Sequence, residues 1–214
     1  MSNSAQSGAA AESQAPPAST RERLVASTQE LLWERGYVGT SPKAILQQAG
    51  VGQGSMYHHF AGKSDLALAA IRRTAEDMTA AAEEIFAGPG TAYDRVEAYL
   101  LRERRVLRGC PIGRMTQDRD VVQDPELRAP LDEMFGWLRR RIAEVLAEGR
   151  RRGELSADLD PTATAASVAA VVQGGYVLAR AAEDTAPFDA AVHGLLALLA
   201  AQRTPDRPAA PDAP

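Results

Sequence analysis

A chain of 214 residues, 45% hydrophobic but only 5% aromatic, has enough apolar material for one sizeable core or two small ones. Its formal net charge of −4 excludes a uniformly basic nucleic-acid binder, so any contact with DNA has to rest on local placement of charge. A single cysteine, Cys110, excludes an intrachain disulfide framework and suits a reducing compartment.

Alanine and leucine dominate and strand-like alternation is absent, so the expected fold class is all-α. The start of the chain shows no basic stretch followed by an apolar one, and no apolar run approaches the roughly 20 residues that span a bilayer. The expectation is a soluble cytoplasmic protein without a membrane partner.

Residues 1–18 are Ser, Ala, Gln, Gly and Pro with one acidic residue, and are expected to form a disordered tail. Ser19 and Glu22 make a capping box for a first helix that runs to Gly36, with Leu24, Val25, Leu31 and Leu32 inward. Ser41 caps a second helix whose first position is Pro42, where a preset φ and a missing N–H do no harm. Ile45, Leu46 and Ala49 give that helix one apolar face, and Gly50-Val51-Gly52 ends it.

A third helix follows, from Gln53 to Phe60. Met56 and Phe60 are four apart and share its inward face, leaving Gln53, Ser55, Tyr57 and His59 outward. Amide, hydroxyl, phenol and imidazole groups hydrogen-bond base edges and phosphates, and none of them is negative. Two short helices crossing over a glycine turn read as a helix-turn-helix.

A fourth helix begins near Lys63 and continues through Leu66, Leu68, Ile71, Met78 and Ile85 to the stop at Gly88-Pro89-Gly90. Its free N–H groups and Lys63 make a phosphate site, with Gly62 leaving room for close approach. Thr91 caps a fifth helix carrying Tyr93, Val96, Tyr99, Leu100 and Val106. Arg102, Arg104, Arg105 and Arg108 crowd its end and read as a solvated face favoured by the helix C-terminus. After the break at Gly109-Cys110-Pro111 comes a short sixth helix to about Asp118.

Asp124-Pro125 opens a seventh helix over residues 126–152, with Leu131, Met134, Phe135, Leu138, Ile142, Val145 and Leu146 inward. Asp160-Pro161 opens an eighth, rich in Ala and Gly, to about Glu183; Pro187 starts a ninth, to about Arg203. The Pro-rich residues 204–214 are expected to be a second disordered tail.

Residues 20–71 resemble the N-terminal DNA-binding domain of the tetracycline-repressor (TetR) family of bacterial regulators. One ungapped run carries the resemblance through Gly36, Tyr37, Thr40, Ser41, Ile45, Ala49, Gly50, Val51, Gly54, Tyr57, His59, Phe60, Lys63, Asp65 and Leu66. Three residues depart from the pattern. Leu46 stands where a small Ala is usual at the helix crossing, Gly52 replaces a Ser cap, and Lys43 occupies a first turn where the helix dipole favours an acid. A cation at position 43 fits best with a phosphate opposite it.

The resemblance implies a three-helix helix-turn-helix domain over residues 19–66 and a helical effector-binding and dimerisation domain over residues 67–203, about nine helices in all. It implies a homodimeric, ligand-responsive regulator, most simply a repressor, on a pseudo-palindromic operator. The DNA contacts would fall to Ser41, Lys43, Gln53, Gly54, Ser55, Tyr57, His58, His59 and Lys63. A small apolar or aromatic effector would lie among Met78, Tyr99, Cys110, Met115, Phe135, Trp137 and Tyr176, whose thioether and ring surfaces set that expectation.

The last two long helices would pair with those of a second copy as a four-helix bundle. Cys110, with Arg108 and Arg114 close in sequence, reads either as a redox-sensing thiol or as a small buried residue. No catalytic constellation, Cys/His metal spacing or P-loop occurs in the sequence, so neither catalysis nor a metal or cofactor is expected. Two other readings stay open: a constitutive architectural DNA-binding protein and a helical small-molecule enzyme.

Overall fold

In a computed structural model, residues 19–204 are described, and the two expected tails lie outside or at the edge of that range. The described residues form ten α-helices: α1 (Thr20–Arg35), α2 (Pro42–Ala49), α3 (Gln53–His59), α4 (Lys63–Phe86), α5 (Ala92–Leu101), α6 (Pro111–Met115), α7 (Arg119–Gln123), α8 (Pro125–Arg151), α9 (Pro161–Ala182) and α10 (Ala186–Ala200). No named strand occurs among them; one isolated bridge joins Leu155 to Arg203.

The helix starts follow from local capping chemistry. Ser19 and Glu22 close a complete capping box on α1, and Thr91 and Asp94 close another on α5. Asp124 and Asp160 each accept two backbone N–H groups ahead of a proline, which fixes α8 and α9 to within a residue of the expected starts. Gly50 sits in the left-handed region at φ 62°, and Val51 N–H returns to Leu46 C=O, so the α2–α3 turn needs a residue without Cβ.

Two groups of buried side chains divide the molecule. The smaller joins α1 to α4 through Leu24, Leu31, Ile45, Ala49, Met56, Phe60 and Leu66. The larger runs from Leu32 and Ile71 through Phe86, Leu100 and Ile112 to α8, α9 and α10. Helix α4 contributes to both, Leu66 to the first and Ala67, Ala70, Ile71, Ala82 and Phe86 to the second, so a displacement of α4 reaches both cores.

The chain departs from expectation in three places. Helix α5 ends at Leu101 rather than continuing past Val106, and Val106–Arg108 form a separate 3-10 turn. The reason is the guanidinium of Arg104, which donates to the carbonyls of Tyr99, Leu100 and Arg102 and so satisfies the helix end in place of another turn. Of the four arginines only Arg105 is solvated as expected: Arg102 and Arg104 stack on Tyr99, while Arg108 lies 3.9 Å over Trp33 and pairs with Glu30.

The short α7 is an element that the sequence pattern did not announce. Thirdly, α9 has 22 residues and contains an 18-residue stretch of mean hydropathy 1.3, so by length and composition it does reach the size of a membrane span. One side of it packs on α8 and α10 through Ala165, Val168, Val172 and Ala179, while Val177 and Leu178 stay exposed on another.

Candidate functional site

The α2–α3 pair presents its polar surface to solvent as the side-chain pattern requires. Gln53, Gly54, Tyr57, His58 and His59 are exposed, and Ser55 is half-buried, while Met56 points into the small core. Lys43 is exposed at the start of α2, where Ser41 caps Ala44 N–H at 3.2 Å. His58 and His59 meet edge to face at 4.9 Å, and Arg21 of α1 lies 5.3 Å over the Phe60 ring.

From Ser41 to Lys63 the sequence contains no acidic residue, so this surface is free of negative charge of its own. A Cβ at Gly52, Gly54 or Gly62 would meet open space, which leaves the backbone of α3 and the start of α4 accessible to a bulky ligand.

Lys63 is placed differently from the simple expectation of an outstretched phosphate contact. Its ammonium lies 4.0 Å over the Tyr37 ring, where burial lowers its pKa and the nearby Asp118 and Asp120 carboxylates pull it back up. Asp118 also accepts the Tyr37 N–H at 2.6 Å. This junction joins the end of α1 and the start of α4 to the α6–α7 corner. A second tie is the Trp33 indole N–H, which donates to Gly109 C=O at 2.9 Å.

On the other side of α6, residues from α6, α8 and α9 line an open cavity of about 650 Å³. Of the seven side chains expected to hold an effector, Cys110, Phe135 and Tyr176 line it. Met78, Tyr99, Met115 and Trp137 do not: Tyr99 and Met115 are buried in the core, with Tyr99 stacked 4.9 Å from Phe86, and Met78 and Trp137 pack against that core. Sequence reasoning missed Arg114, Arg139, Gln173 and Arg180, all of which line the cavity. Arg180 carried a signal, being the single charged residue within the α9 sequence.

Cys110 is 4% exposed, and burial pushes its thiol pKa up against the lowering effect of hydrogen bonds from Gly113 and Gln173. The direction opposes the thiolate that a sensor needs, despite the arginines nearby in sequence. We therefore expect iodoacetamide at pH 8 to modify native Cys110 at least about tenfold more slowly than the thiol of the unfolded chain. Equal rates, followed by mass spectrometry, would restore the sensing thiol. Tyr176 is likewise pushed up, to about 12, mainly by burial, so its hydroxyl is a neutral donor at physiological pH. Among the described residues, no group of three or more His, Cys, Asp or Glu is arranged to hold a metal ion.

Comparison with known proteins agrees with this geometry. The family model for bacterial regulatory proteins of the tetR family matches residues 24–70, and the model for tetracyclin repressor-like C-terminal domains matches residues 90–195. The transcriptional regulator AcuR of Cereibacter sphaeroides is 31% identical over 71% of this chain and 72% of its own. A TetR transcriptional regulator from Chloroflexus aurantiacus, known from its crystal structure, is 30% identical with a TM-score of 0.78, covering 86% of this chain and 96% of that one.

A cysteine-substituted form of the regulator CifR, solved with a 26-bp double-strand operator, shares the fold at 23% identity and a TM-score of 0.71, over 87% of this chain and all of that one. With both family models matched in order along the chain and AcuR related over more than two thirds of its length, the chain belongs to the TetR family of transcriptional regulators.

Proposed function

We propose that the protein represses transcription by binding a pseudo-palindromic operator as a homodimer through α2 and α3, and that a small molecule in the α6–α8–α9 cavity releases it. The observation that carries this reading is the acid-free, exposed α3 surface, on a helical unit whose α1 end is tied by the Asp118–Tyr37 hydrogen bond to the segment that follows the cavity-lining α6. The unit spanning residues 19–66 would contact DNA, and residues 67–203 would bind the effector and the second copy. The family relationship favours a regulator over an enzyme and supports action in the cytoplasm. An architectural role would leave the cavity and its connection to α1 without a use.

Within the interface, Ser41, Lys43, Tyr57, His58 and the Lys63 end of α4 are assigned to phosphates, and Gln53, with the backbone opened by Gly54, to base edges. Ser55 and His59 lie alongside. For Lys63 to reach a phosphate, it has to leave the Tyr37 ring.

The test is a footprint on genomic fragments, followed by variants. A protected pseudo-palindrome with half-sites about 34–36 Å or a multiple apart is expected. Gln53→Ala should cost about 1–3 kcal/mol at one base pair and relax the preference there, whereas Tyr57→Phe should weaken specific and non-specific binding alike. A Gln53→Ala protein with unchanged preference would refute the assignment of base readout to α3.

A further inference from the structure

We propose that the cavity is built for a small organic anion, an acid whose carboxylate- or sulfonate-type head is held by Arg114 and Arg180 while its acyl or aryl body rests on Phe135 and the alanine face of α9. This deepens the effector reading given above and rests on it for the regulatory consequence, but not for the binding itself. It also replaces the expectation of a purely apolar ligand.

The argument is one of charge. Three arginines, Arg114, Arg139 and Arg180, line the cavity, and no Asp or Glu does. None of the three takes part in an ion pair among the described residues, whereas the partly buried Arg95, Arg108 and Arg141 pair with Glu148, Glu30 and Glu83. In a chain with a net charge of −4, so local an excess of cations is not a consequence of composition.

Arg114 is half-buried, and its Nε is wholly enclosed without a hydrogen-bond partner. That Nε lies toward Gly36, so it is the terminal N–H groups of Arg114 that are left for a ligand in the cavity. Arg139 Nε is already engaged, with Phe135 C=O at 3.4 Å, which leaves Arg114 and Arg180 as the freer pair.

The chemistry around the arginines agrees. Guanidinium groups hold oxyanions by paired N–H donation, which an uncharged aromatic cannot accept. Gln173 and the neutral phenol of Tyr176 add hydrogen-bonding capacity at the same wall. Behind Tyr176 a fourth cation, Arg104, is bound only to backbone carbonyls and has no carboxylate partner, so the wall stays electropositive below the surface. Phe135, Ala166, Ala169 and Val177 supply apolar area, which fits an amphipathic acid better than a bare inorganic ion.

Two fluorescent probes with a shared aromatic body separate the possibilities: the anion 8-anilinonaphthalene-1-sulfonate and its uncharged counterpart N-phenyl-1-naphthylamine. On the full-length, DNA-free protein the sulfonate is expected to saturate at one site per protomer and to bind at least about tenfold more tightly than the neutral probe. Arg114→Gln with Arg180→Gln should remove that advantage, and Arg114→Lys with Arg180→Lys should retain part of it, since the charge stays while the paired geometry goes. Equal binding of the two probes, failure of both to bind, or undiminished sulfonate binding in the double glutamine variant would overturn the proposal.

Sedimentation of the glutamine variant guards the interpretation. If it changes the oligomeric state, the arginines serve assembly and the anion site falls. Operator affinity, measured with and without the sulfonate and short-chain acids, distinguishes the two levels. Anions that bind without weakening the operator complex would leave the anion site standing and refute the effector role. Neutral compounds that release the operator where anions do not would keep the effector cavity and refute its anionic character.

Discussion

Replacing Leu178 and Leu198 together by glutamate is expected to halve the sedimenting mass at micromolar concentration and to weaken operator binding by about a hundredfold or more. Leu178 is 55% and Leu198 71% exposed in a single protomer, on α9 and α10, which pack side by side. Val177 is exposed on the same helix, and a Cβ at Gly174 would meet nothing within 4 Å, so a second copy can approach the backbone there. Each leucine covered by a partner contributes about 1.5–3 kcal/mol, and two-fold symmetry counts each one twice.

A glutamate in the same place would be a buried, unpaired charge in the dimer but an ordinary solvated side chain in the monomer. The helical circular dichroism should therefore persist while the mass falls. Val38→Glu, at an equally exposed apolar position beyond α1, is the control that should stay dimeric. If the double variant remained a dimer, the interface would lie away from α9 and α10.

Gly175 does not belong in that experiment, although the Gly174-Gly175 pair reads as one small-residue patch in the sequence. A Cβ on Gly175 would come within 2.8 Å of the Phe188 ring, so this glycine serves packing inside the protomer. The difference between two adjacent glycines lies in their direction around α9, which composition does not reveal. The same distinction runs through the whole chain. Ser19, Thr91, Asp124 and Asp160 act on N–H groups two or three residues away, and they were legible because the chemistry is local.

The helix-turn-helix was legible for a related reason, since its glycine turn, its caps and its two-sided third helix all lie within one short run. The end of α5 was not legible, because the Arg104 side chain substitutes for the next helical turn. Nor was the cavity: Arg114 and Arg180 are far apart in sequence, and only the packing of α6 against α9 brings them to one wall. Aromatic and thioether residues drew attention instead, and the fold uses most of them as core.

Asp118→Ala is expected to leave ligand binding in the cavity intact while reducing the ligand's effect on operator affinity by about tenfold. Asp118 is the residue immediately before α7, where an aspartate ordinarily caps its own helix, yet its carboxylate makes no such bond. It accepts the Tyr37 N–H at 2.6 Å instead, joining the α6–α7 corner to the end of α1. Gly36 is fitted to it: at φ 75°, a Cβ there would lie 2.6 Å from Asp118 Oδ2 and 4.0 Å from Arg114 Nε.

Arg114 thus faces the cavity from α6, and Asp118, in the link from α6 to α7, holds Tyr37 and lies near Lys63. An anion that draws Arg114 toward α9 would pull on Asp118, shift the end of α1 and change how Lys63 and α3 meet the DNA backbone. A charge-assisted hydrogen bond is worth about 1.5–3 kcal/mol, and coupling between two sites about 1–3 kcal/mol, so one bond of this kind is large enough to carry most of the signal.

The measurement is operator affinity by fluorescence anisotropy, with and without a saturating ligand, beside direct ligand titration of each variant. Asp118→Asn keeps an acceptor for Tyr37 but removes the charge that Lys63 senses, and should retain more of the response than alanine does. An alanine variant that releases the operator as fully as the wild type would show that the signal travels by another route, with α4, common to both cores, the next to test.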